Sequence, residues 1–248
     1  MGALDGRAAV VTGAAGGIGS ATTRALAEAG TRVLATDIDE ARVLQVAADI
    51  SASGATVVGR HLDVTHPPEV EAVVQEAVDR FGALDILANI AGILDMTPVD
   101  QLNAEVWDRV MGVNLKGTLL PSLAALKVMR PRRQGRIVNL GSMAGQLGGV
   151  VSGANYAAAK AGVICLTKSL AKHAAPYGIL VNCINPGVID TAMPAAFPPE
   201  RLAEMIAATP LKRLGTPDEV AGVVVFLASD GASFITGTSI DVNGGLYM

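Results

Sequence analysis

Cysteine and histidine are both scarce in this chain, and neither is placed to hold a metal. The two cysteines, Cys165 and Cys183, lie eighteen residues apart in apolar segments, in neither a metal spacing nor a redox pair, and both are expected in the core. The three histidines, His61, His66 and His173, form no cluster with carboxylates at ligand spacing, so no structural or catalytic metal is expected. Positive charge is not in excess either. The net charge of -4 gives no general attraction to nucleic acid or anionic lipid. The single basic run, Arg130-Pro131-Arg132-Arg133, reads as a solvated loop between a helix and a strand. Long apolar runs are missing too: the longest, near Val220 to Ala228, is far too short to cross a bilayer. No charged leader with an apolar core opens the chain, and Met1-Gly2 lacks the Ser or Thr at position 6 that myristoylation requires. A soluble, cytoplasmic protein with no membrane or nucleic-acid partner is the expectation.

What is present is apolar matter in a regular rhythm. Half of the 248 residues are hydrophobic and 17% are charged, which excludes disorder and allows a large core. No Ser/Gly/Pro linker divides the chain, so residues 1–248 read as one domain. Apolar or β-branched runs predict strands at Ala8 to Val11, Val33 to Thr36, Thr56 to Leu62, Leu84 to Ala88, Arg136 to Leu140, Ile179 to Ile184 and Thr238 to Val242. Helices are predicted between them, at Ser20 to Ala29, Asp39 to Ser51, Pro68 to Phe81, Asn103 to Asn114, Leu115 to Met129, Ala154 to Ala175 and Pro217 to Ala228. Such alternation implies a parallel sheet covered by helices on both faces, with a binding crevice at the carboxyl ends of its strands.

The first strand runs into Thr12-Gly13-Ala14-Ala15-Gly16-Gly17-Ile18-Gly19 and then into a helix. Glycines at that turn let the backbone bend sharply and approach a diphosphate, while the free N–H groups of the helix start favour negative charge. A glycine turn alone is a weak signal. The second strand, however, ends at Asp37, eighteen residues beyond Gly19, where a dinucleotide-binding βαβ unit places the carboxylate that accepts bonds from the adenosine ribose.

A second group of residues carries chemistry. Tyr156 and Lys160 stand four apart in a helical stretch and share a face. A phenol, with a reference pKa of about 10, is a poor base at neutral pH, and a nearby ammonium lowers that value by favouring phenolate. Ser142, at the end of the Arg136 to Leu140 strand, could hydrogen-bond the same substrate oxygen. Between residues 191 and 216 the chain breaks rhythm, with Pro194, Pro198, Pro199 and Pro210 around a short helical piece, Glu200 to Ala208. Such an excursion suits a lid, with Met193, Phe197, Met205 and Ile206 as its apolar underside. Ile93, Leu94, Met96, Met143, Leu147 and Val150 suggest that the pocket beneath is apolar.

These motifs together resemble the short-chain dehydrogenase/reductases, over almost the whole chain. The residues that match are Thr12 to Gly19, Asp63-Val64, Asn89-x-Ala91-Gly92, Asn114, Ser142, Tyr156-x-x-x-Lys160 and Pro186-Gly187-x-x-x-Thr191, in the family's order. The resemblance implies a single doubly wound Rossmann domain, α/β, with a parallel sheet of about seven strands. It implies Tyr156 as general acid/base, Lys160 as the group that lowers its pKa and binds the nicotinamide ribose, and Ser142 as the orienter of the substrate oxygen. Asn114 would hold a water that links Lys160 to solvent. For the cofactor it implies Gly13, Gly16, Gly17, Ile18 and Gly19 around the diphosphate, with Asp37 at the ribose. Asp63 and Val64 would lie at the adenine, Asn89 would support the adenosine side, and Ile189 and Thr191 would hold the nicotinamide amide. It also implies a homotetramer built on the helices at 115–129 and 154–175 and on the final helix and strand. One departure stands out: many relatives carry a second Asn where this chain has Ile90, which reads as a change in packing. Pro121, inside a helical stretch, has no functional account.

The resulting expectation is an NAD(H)-dependent oxidoreductase that interconverts a secondary alcohol and a ketone. Asp37 would repel an NADP 2′-phosphate, and the places where NADP-users carry a compensating cation hold Gly16 and Ile38. One alternative is a 3-oxoacyl-[acyl-carrier-protein] reductase, since the stretch from Pro210 to Ala221 resembles that branch, whose members usually favour NADP(H). Another is a dinucleotide-binding regulator that has lost the chemistry, although Ser142, Tyr156 and Lys160 are all present.

Overall fold

A computed structural model describes residues 4–149, 152–192 and 197–248. Seven parallel strands form one sheet: β1 (Ala8–Thr12), β2 (Arg32–Asp37), β3 (Val57–His61), β4 (Ile86–Asn89), β5 (Gly135–Leu140), β6 (Ile179–Pro186) and β7 (Ser239–Val242). Their order is β3-β2-β1-β4-β5-β6-β7, so the direction of growth reverses between β1 and β4. That reversal splays the connections apart at the carboxyl ends and opens a crevice there.

The helices are α1 (Gly17–Glu28), α2 (Glu40–Ser51), α3 (Pro67–Phe81), α4 (Ala104–Met111), α5 (Gly117–Met129), α6 (Ala144–Leu147), α7 (Ala154–Ala174), α8 (Pro199–Ala208) and α9 (Pro217–Ala228). Side chains alternate across a strand, so a strand buried on both faces must be apolar throughout. β1 shows this directly: Ala9 and Val11 pack with Leu26 of α1, Val43 of α2 and Val224 of α9, while Ala8 and Val10 pack with Val74 of α3, Leu126 of α5 and Leu170 of α7. Two cores therefore flank the sheet.

Three local expectations change. Cys183 is buried but Cys165 is exposed on α7, because its neighbours on that face point to solvent. The predicted helices at 103–114 and 115–129 are one run of chain interrupted by a π turn, Gly112–Lys116, which leads from α4 into α5. Pro121 lies buried inside α5, where it forgoes the bond to the carbonyl four residues back. α6, unexpected from the sequence, is a single turn after β5.

The glycine turn after β1 is fixed by sterics. A Cβ at Gly19 would lie 1.9 Å from the Gly13 carbonyl oxygen, whereas one at Gly16 would meet nothing closer than 3.5 Å. Gly19→Ala is expected to cost about 1–3 kcal/mol or more, because backbone must move to admit the methyl. At about 2–4 °C per kcal/mol for a chain of this size, thermal melts should show a loss of several degrees. Gly16→Ala should melt within about 2 °C of the parent.

Candidate active site

The crevice begins at the turn between β1 and α1. Gly13 has φ +69° and lies so close to the β4 loop that a Cβ there would sit 2.6 Å from the Ala91 Cα. The Thr12 hydroxyl accepts the Ile90 and Ala91 N–H groups at 3.1 and 3.2 Å, which ties the ends of β1 and β4 together. α1 starts at Gly17 with no side chain capping it, so its first N–H groups remain available to an anion. Across the crevice, a Cβ at Gly17 would strike the Thr191 Cγ2 at 2.7 Å. An uncapped helix start beside Gly13, Gly17 and Gly19, none of which leaves room for a side chain, fits the diphosphate of a dinucleotide.

Asp37 ends β2 beside this turn. Its carboxylate accepts the Ala15 N–H at 2.9 Å and the Asp39 N–H at 3.0 Å, and these bonds fix it at the rim of the crevice. Neighbouring Ile38 is 67% exposed and brings no charge. Asp63, after β3, accepts both the N–H and the hydroxyl of Thr65, at 2.8 and 2.7 Å. Those bonds, with the nearby His66 and His61, hold its carboxyl below the usual carboxylate range despite partial burial. Val64 is buried against Gly117, where a Cβ would lie 2.6 Å from its Cγ2. Asn89 turns away from the crevice: its Nδ2 donates to Ser122 Oγ at 2.9 Å and Asn139 Oδ1 at 2.8 Å, tying β4 to α5 and β5. Any support it gives the adenosine side is through the sheet.

Ser142, Tyr156, Lys160 and Asn114 converge on the other side of β4. Ser142 follows β5, and its Oγ accepts the Ala144 N–H at 3.1 Å. Burial drives the Tyr156 phenol of α7 above its ordinary value, and the neighbouring Ser142 hydroxyl only partly offsets this. The Lys160 Nζ lies 5.8 Å from the centroid of the Tyr156 ring. Lys160 is 2% exposed and donates to the Leu140 carbonyl at 2.7 Å. Asn114 sits fully buried in the π turn and pairs with Ile93 in both directions, accepting its N–H at 2.8 Å and donating to its carbonyl at 2.9 Å. Between them, Gly92 lacks the Cβ that would come within 2.8 Å of Asn114 Oδ1 and 3.5 Å of Lys160 Nζ.

Ser142, Tyr156 and Lys160 open into a cavity of about 570 Å³, which Ile18, Ile189 and Thr191 also line. Its apolar wall includes Leu94, Met143 and Leu147, as expected, and also Ala144 and Leu246. Ile93 packs instead beside Tyr156 and Val110, and Met96 is 41% exposed. Phe197 and Met205 of the 191–216 excursion face the cavity, joined by Arg201 and Glu204, whose ion pair the sequence reading overlooked. Ile206 is not among the lining residues. Val150, Met193 and Pro194 lie outside the described residues. The excursion ends at Thr216, which forms a capping box with Glu219 at the start of α9, and Arg213 clamps Glu219 through both carboxylate oxygens. Among the described residues no group of histidines, cysteines and carboxylates could hold a metal ion, and no helix is long and apolar enough to cross a membrane.

Residues 13–247 match a family model described as enoyl-(acyl carrier protein) reductase. The chain belongs to the short-chain dehydrogenase/reductase family. As a short-chain dehydrogenase/reductase it is an oxidoreductase of the class that binds a nicotinamide dinucleotide. It is 43% identical over 245 residues to the 3-oxoacyl-[acyl-carrier-protein] reductase FabG of Vibrio cholerae, covering 99% of each chain. The FabG of Escherichia coli is 40% identical over the same coverage. The crystal structure of gox2181 superposes with a TM-score of 0.94 at 38% identity, covering 98% of this chain and 96% of that one.

Burial pulls the Lys160 ammonium down to about 8, with the Cys183 thiol opposing the shift. A lysine in the unfolded chain titrates at about 10.4. Below about pH 8 the residue is charged in both states and the cost of burying the charge is felt in full. Between about pH 8 and 10.4 the unfolded chain holds a proton that the folded one has released, so stability attributable to this residue rises with pH. Urea melts of the cofactor-free parent and of Lys160→Met should therefore converge or cross, the difference moving in the parent's favour by roughly 3 kcal/mol from pH 7 to pH 10. A difference independent of pH would mean that Lys160 is not buried as described.

Proposed function

We propose that this protein is an NAD(H)-dependent oxidoreductase that interconverts a secondary alcohol and a ketone, with Tyr156 as general acid/base. The observation that carries this reading is the convergence of Ser142, Tyr156 and Lys160 on one largely apolar cavity, with the Lys160 ammonium 5.8 Å from the centroid of the Tyr156 ring. When bound, the nicotinamide supplies or accepts the hydride. The chain's own residues handle the oxygen. Ser142 donates a hydrogen bond to the carbonyl oxygen, and Tyr156 delivers a proton to it as negative charge develops there. Burial keeps the phenol protonated at neutral pH, which suits the direction of ketone reduction. In the reverse direction Tyr156 must give up its proton first, and the Lys160 ammonium stabilises the phenolate that results. Asn114, on the far side of Gly92 from Lys160, would pass the proton on through a held water. Gly13, Gly16, Gly17, Ile18 and Gly19 would cradle the diphosphate, with Asp63 and Val64 at the adenine and Ile189 and Thr191 at the nicotinamide.

Asp37 supports NAD over NADP. Two backbone N–H bonds hold its carboxylate at the rim, where it can accept bonds from ribose hydroxyls and would face a 2′-phosphate directly. Neither Gly16 nor Ile38 supplies a cation to offset that repulsion. A second reading, 3-oxoacyl-[acyl-carrier-protein] reductase, is favoured by the FabG relatives at 40–43% identity over nearly the full chain. A homotetramer goes with either reading: Leu123 on α5 and Phe226 on α9 are apolar side chains left 44% and 43% exposed on faces such an assembly would cover.

Turnover of a panel of ketones and 3-oxoacyl thioesters, followed by absorbance of the reduced cofactor, tests both readings. NADH is expected to exceed NADPH by about a hundredfold or more in kcat/KM, with Asp37→Ser plus Ile38→Arg narrowing or reversing the ratio. Equal use of the two cofactors would overturn the NAD assignment, and activity confined to acyl thioesters would favour the second reading. Tyr156→Phe should lower kcat by roughly 10²–10⁴-fold with little change in NADH binding. Retention of more than about a tenth of the parent kcat would remove Tyr156 from the chemistry.

A further inference from the structure

We propose that Asp95 is a positioning residue for Tyr156, capping the start of α7 from the loop after β4 and so setting the phenol against Ser142. The inference rests on the proposed role of Tyr156 and extends it to a residue outside the family's motifs.

α7 begins without a cap of its own. The first turn of a helix leaves backbone N–H groups without partners, and a Ser, Thr, Asp or Asn at the N-cap usually takes one of them. Here the N-cap is Gly153, and no side chain can stand there. A Cβ would lie 2.5 Å from Asn155 Oδ1 and 3.1 Å from both the carbonyl oxygen and Oδ1 of Asp95. The space that a capping side chain would use is filled by Asn155 Oδ1 and by Asp95, fifty-eight positions upstream of Gly153.

Asp95 reaches the first turn through a chain of bonds, with Asn155 as the partner of the Tyr156 N–H. Its carbonyl accepts the Gly153 N–H at 2.6 Å. Its Oδ1 accepts Asn155 Nδ2 at 3.1 Å, and Asn155 Oδ1 in turn accepts the Tyr156 N–H at 2.8 Å. The carboxylate is itself anchored: Thr97 donates its N–H to Oδ1 at 3.0 Å and its hydroxyl to Oδ2 at 3.2 Å, and Arg109 lies 3.9 Å from Oδ2. The Asp95 side chain is 9% exposed and Asn155 is fully buried, so water cannot readily take over these bonds. A carboxylate at this end of α7 is also favoured by the helix dipole.

The same loop is pinned at its other end, where Ile93 exchanges both of its backbone bonds with Asn114. Leu94, between the two anchors, lines the cavity. The three residues form a strap from the π turn that holds Asn114 to the helical turn that holds Tyr156. A misplacement of about 1 Å at a reacting group can cost about 10²-fold in rate, so a strap that sets the first turn of α7 is felt in kcat.

Asp95→Ala, Asn155→Ala, their double variant and Asp95→Asn separate this role from plain loss of stability. Asp95→Ala is expected to lower kcat about tenfold or more, while the NADH dissociation constant stays within about twofold. Asn155→Ala should do the same, and the double variant should be no worse than about threefold below the poorer single one, because both act through one chain of bonds. Asp95→Asn keeps an acceptor toward Asn155 and should recover most of kcat. Hydrogen exchange gives a readout that needs no substrate: the amides of residues 153–156 should exchange faster in Asp95→Ala, relative to the rest of α7. If Asp95→Ala does not fold, Thr97→Val, which loses the hydroxyl bond to Oδ2, decides by a partial fall in kcat at the parent Tm. Parent-like kcat in a folded Asp95→Ala, unchanged exchange at 153–156, losses that multiply in the double variant, failure of Asp95→Asn to rescue, or an unaffected Thr97→Val would each overturn the proposal. An active Tyr156→Phe would instead overturn the assignment of Tyr156 on which it rests.

Discussion

The Thr12 hydroxyl, by accepting the N–H groups of both Ile90 and Ala91, joins the two halves of the sheet where their order reverses. Everything at the site hangs from that junction. On one side it sets the height of Gly13, whose bare Cα is pressed against Ala91, and with it the glycine turn and the open start of α1. On the other it fixes where the chain leaves β4, and so where Gly92, Ile93 and Asp95 meet Asn114 and α7. A hydroxyl is suited to this task because one oxygen can take two donors that no regular strand pairing would satisfy.

Tyr156 and Lys160 are held in a setting that disfavours charge. Tyr156 is nearly buried and Lys160 is more so, and burial moves their proton affinities apart, the phenol upward and the ammonium down to about 8. Each shift favours the neutral form of its group, as a setting with little water should. Lys160 is tucked beneath a strand end and donates to the Leu140 carbonyl, an arrangement that costs stability while the ammonium is charged.

The repeating order of strands and helices was readable because each apolar run met a turn or a helix start before the next. β1 is the clearest case, since burial on both faces demands its unbroken apolar run. The glycine turn, Asp37 and the Tyr156/Lys160 spacing were readable because local geometry alone ties their positions together. Less legible was what depends on contacts across the fold. Nothing local distinguishes Cys165 from Cys183, yet one faces solvent. Asn89 looks like a ligand residue by its place in a motif, and only its bonds to Ser122 and Asn139 show that it is turned inward. The role of Asp95 is invisible for the same reason, although Gly153 at a helix start with no capping residue was a signal that the cap comes from elsewhere. The upward shift of the Tyr156 phenol is likewise a matter of burial, which spacing along a helix does not reveal.

The π turn at Gly112–Lys116 has a consequence for how this chain can change length. Such a turn is what an α-helix becomes when it accommodates one extra residue, and each residue turns a regular helix by about 100°. Loss of a single residue between Met111 and Gly117 would let α4 and α5 run on as one regular helix with both flanks facing as before, because the wide turn already absorbs the extra residue. The buried row Thr118, Ser122 and Leu126 would keep its place in the core, whereas the widened backbone from which Asn114 reaches both the N–H and the carbonyl of Ile93 would be gone. The extra residue thus belongs to the site and not to the hydrophobic interior, and a chain shortened here could keep its core while losing the strap.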